Sequence, residues 1–194
     1  RSKCVNFYFT KEGIIYKHDK AVALSKEEKE AFEKNKQKPK KEKKEEKGIE
    51  PFKLVSEFLN MKWLAANPDV QIVAEQKQKG YYTYGYNNGG KITNIVANTF
   101  SKITYKNLYP NIDVEYILPE NKTGIKYNII LHPGADASQI KMMYENSPGL
   151  KLDGSGNLII QSAFGNFTDH APFTFYQNSK KQIPASSRRP ISLS

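Results

Sequence analysis

The chain has little sulfur: one cysteine, Cys4, and three methionines among 194 residues. A single cysteine cannot form an intrachain disulfide or supply a multi-cysteine metal site. Long apolar runs are also absent, since none approaches the roughly 18 residues that a membrane-spanning helix requires. We therefore predict that the chain has no disulfide framework, binds no metal or other cofactor, and does not insert into a membrane.

Motifs of established catalytic and nucleotide-binding sites are missing as well. The sequence contains neither G-x-x-x-x-G-K-[ST] nor G-x-G-x-x-G. His18, His132 and His170 lack metal-ligand spacing, and Asp169 beside His170 has no serine in a nucleophile-elbow pattern nearby. Asp153 opens DGSGN, which lacks the further acids of a calcium loop and is more typical of a hairpin turn. We predict no catalytic residue and no metal site.

Asp113 and Glu115 are the one carboxylate pair that invites a catalytic interpretation. They are two residues apart in an alternating segment and therefore share one face of a strand. Glycoside hydrolases use such pairs, which keeps a glycoside hydrolase-like enzyme as a third hypothesis. Carboxylates on an exposed strand face more often pair with lysine, and we expect Lys126 to lie near one of them.

The formal net charge of +10 does not indicate nucleic-acid binding, because the lysines are interleaved with acids. Between Ser25 and Gly48 ten lysines alternate with seven glutamates, so the most lysine-rich segment carries little net charge. SKEE at 25–28 is a capping-box pattern that predicts a short exposed helix. We interpret residues 25–48 as a charged, partly helical or disordered insertion that can be deleted with little loss of stability.

Alternating polarity in short segments dominates the rest of the chain. Residues 52–70 fit a helix or a strand, and we favour a strand at 57–65 because a turn at 67–69 and a period of two follow. Strands are predicted at 5–9, 14–16, 57–65, 70–75, 80–86, 100–105, 112–118, 125–131 and 140–144, and a hairpin around DGSGN is predicted at 150–160. The spacing predicts an all-β fold, an antiparallel β-sandwich or open barrel, as a single domain at 1–178 with a polar tail at 179–194.

The tyrosines of GYYTYGY form the most suggestive surface feature. Tyr82, Tyr84 and Tyr86 fall on one face of a strand that NNGG at 87–90 ends. A row of aromatic rings can stack on sugars, although cross-strand packing uses the same residues. Tyr82, Tyr84 and Tyr86 are the predicted ligand-binding residues.

Five ordered motifs carry a family resemblance: YKNLYPNID at 105–113, IKYNI at 125–129, HPGAD at 132–136, GNL at 156–158 and AP at 171–172. Together they resemble a β-rich domain of unknown function near the N-terminus of large secreted or cell-surface proteins of Bacteroidota. This sequence departs from the family pattern after Tyr86. The family carries Gly-Asn-Asp and a nearby Trp there, whereas this chain has NNGG and no Trp. The resemblance implies export, typically by type IX secretion, in gliding-motility or adhesin-like proteins in which β-propeller-type repeats, Ig-like domains or a sorting domain follow. It implies no catalytic activity.

Three functions remain open at this point. We favour a non-catalytic structural or adhesive module, secreted or on the outer cell surface, whose partners are neighbouring domains or an extracellular glycan or protein. A carbohydrate-binding module is the alternative, and the hydrolase is third. The chain begins at Arg1 without Met or an apolar leader, from which we expect a piece of a longer protein.

Overall fold

A computed structural model of the chain describes residues 4–36, 51–119, 124–176, 178–179 and 181–183. These residues are mostly strand, with one α-helix, α1, and a 3-10 turn at Ala137–Gln139. The strands are β1 Cys4–Thr10, β2 Gly13–Ala23, β3 Phe52–Trp63, β4 Gln71–Asn88, β5 Lys91–Tyr109, β6 Ile112–Ile117, β7 Lys126–Leu131, β8 Met142–Glu145, β9 Leu150–Leu152, β10 Leu158–Ile160 and β11 Phe167–Asp169.

The described strands form three antiparallel sheets, which confirms the predicted all-β class. Their strand orders are β1-β2-β3-β8, β4-β5-β6-β7 and β11-β10-β9. Most neighbours in the sheets are also neighbours in sequence, as expected of strands joined by tight turns. The short spacing of turn signals in the sequence is therefore reflected directly in the topology.

The chain divides into two compact units. The first comprises Arg1–Tyr8, Ile15–Met61 and Tyr144–Ser194, and the second comprises Phe9–Ile14 and Lys62–Met143. The division passes through β1, β2, β3 and β8, each of which contributes residues to both units. The single domain at 1–178 stays a prediction.

An aliphatic cluster lined by aromatic rings holds the first unit together. Leu59, Leu158 and Ile160 are almost fully buried, and Tyr16, Tyr144, Leu150 and Phe167 pack against them. Burying a side chain of this size stabilises the fold by roughly 1.5–3 kcal/mol, before the conformational entropy that opposes it.

Buried tyrosines whose hydroxyls bond to the backbone form the core of the second unit. The Tyr105 hydroxyl donates to the Thr10 carbonyl over 2.7 Å, and the Tyr109 hydroxyl donates to the Leu64 carbonyl over 2.8 Å. Desolvation by burial raises the pKa of both phenols. Each ring therefore supplies apolar area while its polar end is satisfied, which is the requirement for burying a tyrosine.

The motif YKNLYPNID builds the corner between β5 and β6. Its apolar members Leu108 and Ile112 are completely buried. The backbone passes through the left-handed region at Asn107 (φ 52°) and Asn111 (φ 60°), a conformation that asparagine tolerates better than most residues. HPGAD then joins the same corner, because the His132 N–H donates to the Asn111 carbonyl over 2.9 Å. These two motifs of the family resemblance thus meet at one structural corner.

The charged insertion begins with the predicted helix, α1 Lys26–Lys36. Its capping box is present: the Ser25 N–H donates to Glu28 Oε2 over 2.8 Å, and the Glu28 N–H donates to Ser25 Oγ over 3.2 Å. The rest of the insertion, residues 37–48, lies outside the described residues, as does most of the predicted tail.

Several strand boundaries differ from the sequence prediction. The strand predicted at 14–16 spans Gly13–Ala23, and those predicted at 70–75 and 80–86 form one strand, Gln71–Asn88. The strand predicted at 57–65 spans Phe52–Trp63, and the strand predicted at 100–105 spans Lys91–Tyr109. Residues 91–99 were not recognised as strand because their apolar and polar side chains do not alternate strictly. The reason is physical: this part of β5 is exposed on both faces, so no buried face imposes a pattern.

Candidate binding surface

The hairpin of β4 and β5 extends beyond the rest of its sheet. The two strands pair from Gln71↔Lys106 to Asn88↔Lys91, whereas β6 pairs with β5 only from Lys102↔Ile117 to Tyr109↔Ile112. One further hydrogen bond runs from the Leu118 N–H to the Ser101 carbonyl, and Pro119, which has no N–H, follows. Residues 81–98, here called the arm, are therefore a two-stranded ribbon as far as the described residues go.

A tight turn closes the arm at its tip. Gly89 (φ 61°) and Gly90 (φ 92°) connect the paired residues Asn88 and Lys91. Two consecutive residues with positive φ are the signature of a type I′ turn, which matches the twist of the strands it joins. The Gly90 N–H donates to Asn87 Oδ1 over 2.9 Å. The turn predicted from NNGG is confirmed, and it fixes the register of the arm.

An irregularity marks the base of the arm. The pairing shifts between Lys77↔Phe100 and Tyr81↔Asn98, so β4 contributes two more residues here than β5. The Thr99 hydroxyl donates to the Gly80 carbonyl over 2.5 Å and bridges the irregular segment. Bulges bend a strand and increase its local twist, so the arm is set off from the sheet below it.

The structure places Tyr82, Tyr84 and Tyr86 in the arm as one exposed row. Their exposed fractions are 62%, 56% and 58%. The rings of Tyr82 and Tyr84 lie 6.4 Å apart with a 31° angle between their planes. Their cross-strand partners are Ala97, Ile95 and Thr93. Most of each ring therefore faces solvent, as a surface that stacks on a ligand requires.

The opposite face of the arm is also apolar and exposed, which the sequence prediction missed. Tyr81 is 66% exposed, Ile92 71% and Val96 60%. They share this face because Val96 pairs with Thr83, and Ile92 pairs with Asn87, one residue out of step with the tyrosine row. The doublet Tyr81-Tyr82 was the available signal, since adjacent aromatic residues in a strand must point to opposite faces.

Charge is almost excluded from the arm. Lys91 is its sole charged residue, in a chain of which 26% of residues are charged. With about a quarter of residues charged, a segment of this length ordinarily holds several charges, which keep exposed ribbons from associating. The arm is therefore an exposed, nearly neutral surface on a strongly basic molecule.

The candidate acid Asp113 is engaged in structural contacts at the β5–β6 corner. Its side chain is 6% exposed and accepts from Lys106 Nζ over 3.0 Å, from the Asn107 N–H over 2.8 Å and from His132 Nε2 over 3.1 Å. Burial opposes ionisation, but the three hydrogen bonds outweigh it and hold the pKa of Asp113 below its ordinary value. A general acid needs the reverse shift, so Asp113 fits an anchoring role.

Glu115 belongs to a separate ion cluster on the same strand face. Lys102 Nζ lies 2.9 Å from Glu115 Oε1 and 3.0 Å from Glu75 Oε2. The hydroxyl of Thr104 also donates to Glu75, and this bond together with Lys102 lowers the pKa of Glu75. Lysines of β5, Lys102 and Lys106, form the ion pairs with Glu115 and Asp113. Lys126 stands opposite Ile117, on the same strand face, and its proximity to either acid stays a prediction.

The remaining sequence candidates have local structural roles. Asp153 accepts from the Ser155 and Asn157 N–H groups over 2.8 and 2.9 Å, and these bonds shape the DGSGN turn. His18 is buried against the edges of Phe164 and Phe167. In the described part of the chain, no three histidine, cysteine or acidic side chains come together in a way that could hold a metal ion. The described helix is also too short and too polar to cross a membrane.

Comparison with known proteins identifies a family to which the chain is similar. A family model described as a domain of unknown function (DUF7948) matches residues 1–188. No curated protein and no solved structure matches the chain significantly. The match spans both compact units, the arm and the charged insertion.

Proposed function

The chain belongs to the family described as a domain of unknown function (DUF7948), and from that premise we propose that it is a non-catalytic structural and adhesive module. We place it in a secreted or cell-surface protein of a Bacteroidota bacterium, exported by type IX secretion. The motifs that resemble such proteins, from Tyr105 to Asp113 and from His132 to Asp136, support this placement.

The observation that carries the adhesive role is the exposed, nearly neutral arm. Soluble proteins seldom expose contiguous apolar surface unless a partner covers it. The arm presents apolar rings and aliphatic side chains on both faces, and it stands beyond the third strand of its sheet. The polar groups that could support chemistry, Asp113 and Glu115, are engaged in ion pairs instead. Exposed apolar side chains in the arm, together with carboxylates held in ion pairs, favour binding to a partner over catalysis.

Surface location can be tested on the bacterium that encodes the protein. Antibodies raised against the recombinant chain are applied to intact cells and to permeabilised cells. We expect equal labelling of both, because the epitope lies outside the outer membrane. Labelling that requires permeabilisation would remove the surface placement, whatever the arm binds.

Carbohydrate binding is the second candidate, and the exposure of Tyr82, Tyr84 and Tyr86 favours it. Aromatic rings on a flat strand surface stack on sugar rings, and the low charge of the arm suits a neutral glycan. The test is a glycan array probed with the folded chain and with a variant in which all three tyrosines are replaced by serine.

The matched control replaces exposed aromatic residues outside the arm. Phe173 and Tyr176 are 63% and 60% exposed, close to the values for the arm tyrosines. Binding that is lost in the tyrosine variant and kept in the Phe173→Ser/Tyr176→Ser variant supports the carbohydrate-binding alternative. A folded wild-type chain that binds no glycan on the array removes it.

A further inference from the structure

The outer edge of β5 in the arm carries backbone groups without a neighbouring strand among the described residues. Asn88 and Lys91 flank a two-residue turn and must therefore be a hydrogen-bonded pair. Hydrogen-bonded and non-hydrogen-bonded pairs alternate along an antiparallel ladder. Counting from the turn, Ile92, Asn94, Val96 and Asn98 direct their N–H and carbonyl groups away from β4. In the part of the chain that the structure describes, this run of strand edge is unpaired.

This edge lacks the features that normally prevent strand pairing. Proteins protect open edges with charged side chains, especially lysine, with proline, or with bulges. Residues 92–101, ITNIVANTFS, contain no charged residue and no proline, and the paired residues of the arm show no register shift between Asn98 and Lys91. The segment is also rich in β-branched residues, which have high strand propensity. Its composition is therefore typical of a strand that has a neighbour on both edges.

We propose that the arm joins two copies of this chain by antiparallel pairing of the β5 edge, residues 92–98, with the same edge of the second copy. The result is a four-stranded sheet in which the two β5 strands lie at the centre. This inference goes beyond the proposed adhesive function, because it names the partner of one specific edge and does not depend on cell-surface location.

A second copy can approach this edge although the chain as a whole repels it. The net charge of +10 opposes self-association, and residues 92–101 are a place where two copies can meet without bringing charge to the contact. An acidic partner would gain little here, since the edge offers no cation to it. Apolar side chains such as Ile95 (53% exposed) and Val96 (60% exposed) would gain neighbours across the new strand pair.

In a dimer paired through β5, each copy covers the β5 edge of the other, so this edge is not left for a third copy. A twofold contact uses the same surface on both copies and ends at a dimer. The other edge of the arm, on β4, is less suited to pairing. It contains Gly85, which weakens a strand, and it starts from the irregular segment between Lys77 and Tyr81. We therefore expect dimers and no extended fibres.

The experiment exploits one cross-strand pair. Val96 and Thr83 stand opposite each other in a non-hydrogen-bonded pair, so each directs its N–H away from the partner strand, Val96 to the β5 edge and Thr83 to the β4 edge. Val96→Pro removes a donor from the β5 edge and leaves the hairpin ladder intact, and Thr83→Pro does the same at the β4 edge. Both side chains are exposed, so the two variants are matched in burial.

The readout is the dimer dissociation constant from sedimentation equilibrium of the full 194-residue chain. We expect the wild-type chain and Thr83→Pro to reach a mass of twice 22.1 kDa at high concentration. We expect Val96→Pro to dimerise at least about tenfold more weakly, because the twofold contact loses the donor in both copies. Val96→Lys, which keeps every backbone group, should weaken the dimer as well through like charges at the contact. Circular dichroism confirms that each variant is folded.

Several results would overturn the proposal. A wild-type chain that stays monomeric at its highest soluble concentration would exclude self-pairing. A dimer weakened by Thr83→Pro and unaffected by Val96→Pro would place the contact on β4. Fibres in place of dimers would contradict the closed twofold contact. A dimer that both proline variants leave unchanged would place the interface outside the arm.

Discussion

Tyrosine is used in this chain both as a core residue and as a surface residue. Tyr84 lies in β4 and Tyr105 lies in the paired strand β5, yet Tyr105 is fully buried and Tyr84 is 56% exposed. The difference arises from what packs on the face of each strand: the Tyr105 ring lies 5.5 Å from that of Tyr116 and its hydroxyl donates to the Thr10 carbonyl, whereas more than half of the Tyr84 side chain faces solvent. A ring belongs to the core or to the surface according to what covers its strand face.

The tyrosine pair yields a stability prediction. Tyr105→Phe removes a buried hydroxyl and leaves the Thr10 carbonyl without that donor, so we expect the free energy of unfolding to fall by about 1–2 kcal/mol. Tyr84→Phe removes a hydroxyl from an exposed ring, and we expect a change within about 0.5 kcal/mol. Urea unfolding of both variants measures the difference. Equal losses would mean that the buried hydroxyl bond contributes no net stability.

Asp113 yields a pH-dependent prediction. Its pKa is lower in the folded chain than in the unfolded chain, so its contribution to stability is full above the unfolded value of about 3.9 and is lost as the pH falls through the folded value. We expect Asp113→Asn to lower the free energy of unfolding by about 1–3 kcal/mol at neutral pH. The deficit relative to the wild-type chain should shrink as the pH falls below about 4.

The control for Asp113 is Asp69, an exposed aspartate of the same unit. Asp69→Asn should leave the unfolding free energy within about 0.5 kcal/mol of the wild-type value. A deficit in Asp113→Asn that stays constant from pH 7 to pH 3 would show that the ionised carboxylate is not what stabilises the corner.

At the scale of elements, the sequence predicted turns better than strand lengths. NNGG, DGSGN and the capping box at Ser25 each combine residues whose local conformation is restricted, so their structures follow from a few neighbours. The extent of β5 could not be predicted in the same way, because residues 91–99 pack against no core and show no regular alternation. The exposure of Tyr82, Tyr84 and Tyr86 could not be predicted either, because it depends on which parts of the fold pack on that strand face, which is a tertiary property.

The charged insertion yields a prediction about an element. Helix α1 is mostly exposed, and its described links to the fold include the ion pair between Glu28 and Lys53 at 2.5 Å, both partly exposed. Exposed ion pairs contribute little to the free energy of unfolding, because water and salt screen them. Deletion of residues 25–48 should therefore change the melting temperature only slightly.

The benchmark for that deletion is the loss of a core side chain. Leu59 is 2% exposed, and Leu59→Ala should cost roughly 2–5 kcal/mol, with a clear fall in melting temperature by calorimetry. A deletion as damaging as Leu59→Ala would mean that the insertion packs on the fold and is not a dispensable addition.

For the molecule as a whole, polar chemistry and exposed apolar surface are separated. The acids that sequence analysis singled out are held by lysines: Asp113 by Lys106 at the β5–β6 corner, which two motifs of the family resemblance build, and Glu115 by Lys102 in a separate cluster. Tyr82, Tyr84 and Tyr86 lie in the arm, away from those ion pairs along β5. This separation underlies the account of a protein that works by contact.

The arm can be removed without disturbing the corner. Tyr82 and Ala97 are a hydrogen-bonded pair by the alternation that begins at the turn, so a two-residue Asn-Gly turn can join them in place of residues 83–96. A two-stranded ribbon contributes little stability of its own, and the trimmed chain should unfold at nearly the wild-type temperature.

The most direct test of the account is the binding of the fluorescently labelled chain, whole and trimmed, to intact cells of the bacterium that encodes it. The account predicts saturable binding of the whole chain and loss of binding in the folded, trimmed chain, since the arm is the contact surface. Equal binding of the two chains would contradict it.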